Sequence, residues 1–271
     1  FVAACDDPDF NDIVKLLIKR GAEVDARDAG RTTPLHAAAS GGAADNAKAL
    51  IKRGADVEAR DENMRTPLIL AVLYGERRVA KLLIKNNADV NVSCRDQHTP
   101  LHLAARFGSA KVVKLLIQHG AELDAKDSNG QTPFHNAIHR PFPVVELLIR
   151  FGADVNVHDV HERTAVHHLH SSDAESSPVL QLLVEFGVDI RARDAEWGTL
   201  LHYALTRTRP LDEVAYLHRR GAEVNVTRPR RTGKGSAQSH LTPLGFAAMR
   251  TNQSDEPVQL LLSCTSAEFV V

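Results

Sequence analysis

A short phrase recurs along this chain at a nearly constant interval, and that recurrence restricts the fold more than any other feature. It reads TPLHAAA at residues 33–39, and the spacings between successive copies are 33, 33, 33, 32, 35 and 43 residues. A second phrase, GAEV at residues 21–24, recurs in register with the first as far as residues 221–224. Two phrases that share one period indicate a stack of repeated units, each packed on its neighbours. The seven copies of the first phrase begin at Thr33, Thr66, Thr99, Thr132, Thr164, Thr199 and Thr242.

The residues of one unit predict its local structure. Thr99 can cap a helix whose first turn carries Pro100, where a missing N–H costs nothing. Apolar residues at helical spacing over 112–117 predict a second helix, and Gly120 can end it in a left-handed conformation. The following stretch, AELDAKDSNGQ, predicts an extended arm with a tight turn at residues 129–130. The unit is therefore a helix, a turn, a second helix and a β-hairpin arm.

The stretch TPLHLAARFGSAKVVKLLIQHGAELDAKDSNGQTP resembles an ankyrin repeat, whose signature is T-P-L-H-x-A at a 33-residue period. The resemblance covers essentially the whole chain. It implies an all-α fold, an ankyrin-repeat solenoid with a helix-turn-helix and a β-hairpin arm in each repeat. We expect a single domain over residues 1–271, with a partial repeat at 1–27 and a last repeat at 228–271 that carries a basic insertion, 227–241. The full repeats are 28–60, 61–93, 94–126, 127–158, 159–193 and 194–227.

The repeats depart from the pattern from about residue 140 onward. Neither Thr164 nor Thr199 is followed by proline, RPFP at 140–143 replaces the usual glycine turn, and HSSDAESSP at 170–178 lengthens the same turn one repeat later. We expect the helix starts to survive and the stacking to be less regular. The insertion, TRPRRTGKGSAQSHL, is interpreted as an exposed loop, and the alternative is a finger that binds phosphate or acidic groups. Its TGKGS lacks the frame of a phosphate-binding loop, so a nucleotide site is rejected.

Composition excludes several classes of function. A formal net charge of −1 argues against nucleic-acid binding and against attraction to an anionic membrane surface. No apolar run reaches the length of a membrane span. Three scattered cysteines do not form a disulfide framework and favour a reducing compartment. The prediction is an intracellular protein of the cytoplasm, with the nucleus left open.

Histidine is frequent, with 14 residues. Five occupy the fourth place of the T-P-L-H phrase, where the resemblance implies a structural hydrogen-bonding role. Residues 158–170 hold a further cluster, and His135 and His139 lie one helical turn apart, which is a fair zinc geometry. No paired cysteines or H-E-x-x-H motif accompany them, so we expect no metal, no cofactor and no catalysis. The five phrase histidines are His36, His102, His135, His167 and His202.

The resemblance implies a function as a protein–protein interaction module. Ankyrin repeats bind along a concave face made by the arm tips and the exposed end of each first helix. Aromatic and arginine side chains at those places predict a partner protein or peptide with acidic and apolar residues, in a scaffold or targeting role. The alternative is an enzyme-associated or enzymatic protein with an unconventional site around residues 135–170. The predicted binding residues are Arg65, Tyr74, Arg106, Phe107, His139, Arg140, Arg163, Trp197, Arg207 and Arg250.

Overall fold

The chain is described by a computed structural model, and the all-α repeat architecture is confirmed. Its residues divide into two compact units, the first ending at Asp154 and the second beginning at Val155. The described residues are 8–138, 140, 142–168, 176–195, 198–205, 210–229, 240–248 and 259.

The first unit consists of two rows of antiparallel helices. The first helices of successive repeats, α2, α4, α6 and α8, pack side by side, and the second helices, α1, α3, α5, α7 and α9, form the other row. The leucine or phenylalanine that follows each threonine–proline pair is fully buried between the rows, at Leu35, Leu68, Leu101 and Phe134. The helices are α1 Pro8–Lys19, α2 Pro34–Ser40, α3 Ala44–Lys52, α4 Pro67–Leu73, α5 Arg77–Lys85, α6 Pro100–Arg106, α7 Ala110–Gln118, α8 Pro133–Ala137 and α9 Phe142–Arg150.

The T-P-L-H phrase closes the start of a first helix with a reciprocal cap, and at α4, where isoleucine stands in place of the histidine, only the threonine half of that cap is present. At α6 the Thr99 hydroxyl accepts from the His102 backbone N–H, while His102 Nδ1 accepts from the Thr99 backbone N–H at 3.2 Å. The far side of the ring, His102 Nε2, lies 3.0 Å from the carbonyl oxygen of Gln131 in the next repeat. His36 makes the equivalent contact with the Arg65 carbonyl at 2.9 Å. The predicted structural role of these histidines is confirmed, since they satisfy a helix start and join two repeats.

The arms are tight turns in which backbone groups close on each other within five residues. In the arm of the second repeat, Asp61 N–H donates to the Arg65 carbonyl and Met64 N–H donates to the Asp61 carbonyl. Successive tips are joined by further backbone bonds, such as the one from Arg95 N–H to the Asn63 carbonyl at 3.1 Å. These turns are too short to form the paired strands expected of a hairpin arm. They stack instead through one backbone bond per repeat.

The helices of the second unit are less uniform in length. After Thr164 the first helix of the repeat is a 3₁₀ segment, Ala165–His168, so the expectation that every helix start survives is only partly met. Loss of proline alone does not explain this, because α11 begins with Leu200 and is α-helical. A two-residue antiparallel pair, β1 with β2, closes the base of the basic insertion, whose residues 230–239 lie outside the described ones. The remaining elements are α10 Ser176–Glu185, α11 Leu200–Ala204, α12 Pro210–Arg219, β1 Arg228–Pro229, β2 His240–Leu241 and α13 Pro243–Ala248.

Candidate functional site

Two aromatic side chains stand exposed at equivalent positions of neighbouring repeats. Tyr74 follows the last residue of α4 and Phe107 follows the last residue of α6, and each backbone N–H donates to a carbonyl of its own helix. Tyr74 is 58% exposed and Phe107 is 54% exposed. The helix end directs both side chains away from the buried rows. We call the surface made by these helix ends and the arm tips of the first unit the tip face.

The arm tips hold residues in an unusual backbone conformation. The second residue before the threonine has a positive φ in five repeats, and only one of these residues is the glycine that such a conformation favours. Met64 has a φ of 61° and is 41% exposed. A residue other than glycine is destabilising in this backbone conformation. The sequence nevertheless keeps a side chain at most of these tips and accepts the backbone strain. The five residues are Arg31, Met64, Gln97, Gly130 and Glu162.

Two of the predicted binding arginines are held inside their own arms. Arg65 Nη2 lies 2.7 Å from Asp61 Oδ2, and the Arg65 side chain is only 32% exposed. Arg163 makes the same contact with Asp159 at 3.0 Å in the second unit. Both carboxylates also accept backbone N–H groups of the arm. The charge of each guanidinium is thus largely balanced by a buried carboxylate, which leaves less of it for a partner.

Arg106 and Arg140 are exposed arginines at the helix ends of the tip face. Arg106 is the last residue of α6, directly before Phe107, and Arg140 occupies in its repeat the position that Tyr74 and Phe107 occupy in theirs. Neither forms an ion pair with any residue that the structure describes. These two cations and the two aromatic rings are brought together on one unit. The other predicted residues, His139, Trp197, Arg207 and Arg250, lie outside the described residues.

Histidines in the region of the alternative site have structural partners. His135 Nδ1 lies 3.0 Å from the Thr132 hydroxyl, and His167 repeats that contact with Thr164 at 2.9 Å. His168 Nε2 lies 3.1 Å from Asp159 Oδ2. Within the described ranges, no three histidine, cysteine or acidic side chains are arranged to hold a metal ion.

One cluster of reactive side chains escaped the sequence prediction. Cys94 begins its arm where five other repeats have aspartate, and its side chain hydrogen-bonds with His98 in the same arm. His98 Nε2 lies 3.2 Å from Asp127 Oδ2 of the next repeat. The replacement of aspartate by cysteine was the available signal, because the other five full repeats all have aspartate at this position.

Comparison with known proteins agrees with this architecture. The family model described as Ankyrin repeats (3 copies) matches residues 1–94 and 88–159, which together are more than half of the chain. The chain belongs to the ankyrin-repeat family. A search of the curated proteins finds no significant match to it.

Membership in the ankyrin family indicates the general kind of function of the chain. Ankyrin repeats are generally protein–protein interaction modules and are typically non-catalytic. Among the described residues of this ankyrin chain, no helix is both long enough and apolar enough to cross a membrane.

Proposed function

We propose that this ankyrin chain binds a protein or peptide segment on the tip face of its first unit, in a scaffold or targeting role. The observation that carries the proposal is the pair of exposed rings, Tyr74 and Phe107, at equivalent helix ends of adjacent repeats. Large apolar side chains that remain more than half exposed at neighbouring positions are typical of interaction surfaces. The segment they would bind carries apolar residues at a matching spacing.

The exposed rings can supply a useful part of the binding free energy. A phenylalanine side chain buries about 150–250 Å² when fully covered, so covering the exposed half of Phe107 removes about 100 Å² from water. At about 25 cal/mol per Å², that area corresponds to about 2–3 kcal/mol. Tyr74 has a similar exposed fraction and adds a hydroxyl that can hydrogen-bond to the partner. Met64 at the neighbouring arm tip offers an adaptable apolar contact.

The charges of the tip face favour an acidic partner. Arg106 and Arg140 are exposed, and a guanidinium can bind a carboxylate through two hydrogen bonds. Arg65 contributes less, because Asp61 already holds it at 2.7 Å. The segment therefore carries aspartate or glutamate beside its apolar residues, nearer to Arg106 than to Arg65.

The platform beneath these side chains is rigid. Successive arm tips are joined by backbone hydrogen bonds, and α4 packs directly on α6. Binding groups on such a support lose little conformational freedom when a partner docks. Three scattered cysteines are compatible with the cytoplasm or the nucleus as the compartment in which the partner is met.

Selection from a displayed library of random peptides tests the proposal. Peptides enriched on the parent chain should carry acidic residues next to aromatic or aliphatic ones. Phe107→Ser and Tyr74→Ser should each weaken them by about 10-fold or more, the equivalent of 1.4 kcal/mol. Arg106→Glu should slow association.

Matched controls distinguish binding at the tip face from non-specific hydrophobic binding. Phe151 is 41% exposed at the end of α9, in the row of second helices, so Phe151→Ser should leave peptide affinity unchanged. Arg78→Glu, at an exposed position of α5, should not slow association. Enriched peptides that bind Phe107→Ser and Tyr74→Ser as tightly as the parent would refute the assignment of the tip face.

A further inference from the structure

The third arm of the array differs from the others in its first residue. In the neighbouring arm the aspartate at that place, Asp127, accepts the backbone N–H groups of Asn129 and Gln131 through one carboxylate oxygen. Sulfur is a weaker acceptor than a carboxylate oxygen, so Cys94 binds the corresponding backbone N–H groups, those of Asp96 and His98, less strongly. The backbone of the arm closes as in the other arms, with Cys94 N–H to the His98 carbonyl at 3.1 Å and Gln97 N–H to the Cys94 carbonyl at 2.9 Å. The exchange of aspartate for cysteine therefore weakens the arm and places a nucleophile in it.

His98 connects that thiol to a buried carboxylate. Its side chain hydrogen-bonds with Cys94, and its Nε2 lies 3.2 Å from Asp127 Oδ2. The Asp127 side chain is completely buried, and its Oδ2 receives no backbone N–H, in contrast to Oδ1. A buried carboxylate oxygen that faces only an imidazole favours the protonated, positively charged ring. The proton that this charge requires is available from Cys94.

Other charged groups around the ring modulate this arrangement without reversing it. Arg106 is close enough to oppose the positive charge on His98. The His102 ring packs edge to face on His98, with centroids 5.7 Å apart, and burial keeps His102 neutral by lowering its pKa to about 4. The Cys94 hydrogen bond and Asp127 together outweigh burial and Arg106, so the pKa of His98 is raised. Burial acts to raise the pKa of Cys94, but the hydrogen bond from His98 and backbone hydrogen bonds lower it.

We propose that Cys94, His98 and Asp127 form a reactive-thiol site at which Cys94 undergoes exchange with a small disulfide. Cys94 and His98 are both partly exposed at an arm of the first unit, so a small reagent can reach them. Cys94 is the nucleophile, His98 is the base that takes its proton, and Asp127 is a positioning residue that stabilises the charged ring. The co-reactant is a low-molecular-weight disulfide of the glutathione type.

The reaction is balanced without any further oxidant. The S–H bond of Cys94 breaks and its proton passes to His98. The thiolate then attacks one sulfur of the small disulfide, a new S–S bond forms to Cys94, and the old S–S bond breaks. The leaving sulfur takes the electron pair and then a proton from solvent. Cys94 is oxidised to a mixed disulfide, and one half of the reagent is reduced to a thiol.

The test uses the full chain with Cys5→Ser and Cys264→Ser, so that Cys94 is the remaining thiol. Its reaction with an aromatic disulfide that releases a coloured thiolate is followed from about pH 5 to pH 9. At about pH 6 the folded chain should react about fivefold or more faster than the same chain in urea, since thiolate fraction rises more than nucleophilicity falls. His98→Gln should abolish that advantage and move the inflection of the rate to higher pH. Asp127→Asn, which retains an oxygen for the arm N–H groups, should shift it in the same direction by less.

His119→Gln is the matched control, because His119 is exposed at the end of α7, where its Nδ1 lies 2.8 Å from the Leu115 carbonyl oxygen of the same helix. It should leave the rate unchanged, and circular dichroism should show every variant folded. In the natural chain at about pH 6, mass spectrometry after treatment with oxidised glutathione should find the first adduct on Cys94. A folded Cys94 that reacts no faster than the unfolded chain overturns the proposal. So does a His98→Gln variant as fast as the parent, or a first adduct on Cys5 or Cys264.

Discussion

Acidification should weaken the array through its buried phrase histidines, and His102 allows the effect to be worked out. Its Nδ1 accepts the Thr99 backbone N–H, so Nε2 carries the proton and donates to the Gln131 carbonyl. The ring is fully buried, and that burial lowers the pKa of His102 from 6.5 to about 4. A second proton would have to enter at Nδ1, against the N–H that already points there. The folded chain therefore resists a proton that the unfolded chain accepts.

The sign and size of this loss of stability follow from the linkage between proton binding and folding. Between pH 6.5 and about 4 the unfolded state binds the extra proton and the folded state does not. The stability that neutral His102 contributes is thus complete above pH 6.5 and is lost as the pH falls toward 4. Since each pKa unit is worth about 1.4 kcal/mol, the loss is about 3 kcal/mol. His98 acts oppositely, because its raised pKa gives a contribution that is complete below pH 6.5 and lost above its folded pKa.

Urea unfolding of the parent and of His102→Gln, followed by circular dichroism from pH 7 down to about 4, measures this loss. The variant should be the less stable chain at neutral pH, and the difference should shrink by about 3 kcal/mol on acidification. His36 and His167, whose pKa values burial also lowers, contribute equally to both chains and cancel. The NMR signal of the His102 ring gives the pKa directly. Parallel loss of stability in the two chains, or a ring that titrates near its ordinary value, would refute the reasoning.

Two further perturbations test the arms. Gly130→Ala should lower the free energy of unfolding by about 1 kcal/mol, because Gly130 has a φ of 71°. Gln97→Gly at the equivalent place should not destabilise the chain. Thermal unfolding of both variants checks this, and equal losses of stability would contradict it. Asp159→Ala should cost about 2–3 kcal/mol in urea unfolding, since Asp159 accepts the backbone N–H groups of His161 and Arg163 and the Arg163 guanidinium. Burial opposes these bonds, yet they lower the pKa of Asp159 to about 2, so its contribution is present above pH 3.8 and lost as the pH falls toward 2. A variant that retains the parent's pH dependence below pH 3.8 would rule this out.

Much of the fold could be predicted because the repeat encodes it locally. Some residues have a backbone preference that does not depend on distant residues, as do Thr99 at a cap, Pro100 in the first turn and Gly120 after the second helix. The positions of α6 and α7 follow from those preferences. The 3₁₀ segment after Thr164 could not be predicted in the same way. Its repeat lacks proline after the threonine, but so does the repeat of α11, which is α-helical, so no local preference in the sequence separates the two.

The candidate site was predictable only where exposure follows from the register. Tyr74 and Phe107 lie one period apart at a helix end, so their exposure can be inferred from sequence. Whether an arginine is already ion-paired cannot be inferred from the sequence. Arg65 and Arg106 look alike as residue types, but Arg65 bends back four residues to Asp61 and Arg106 does not. Only the three-dimensional arm shows which guanidinium is already paired.

Departures from a repeat carry more functional information than the repeat itself. Aspartate at the first place of an arm is explained by its bonds to the arm backbone, as at Asp61 and Asp127. Cys94 takes the same place with a sulfur that accepts the backbone N–H groups of Asp96 and His98 less strongly than a carboxylate oxygen does, so the position stabilises the arm less. In exchange the thiol interacts with His98 and, through it, with Asp127. A substitution that weakens a local stabilising contact and gains a polarised nucleophile is the pattern expected of a position under chemical as well as structural demand.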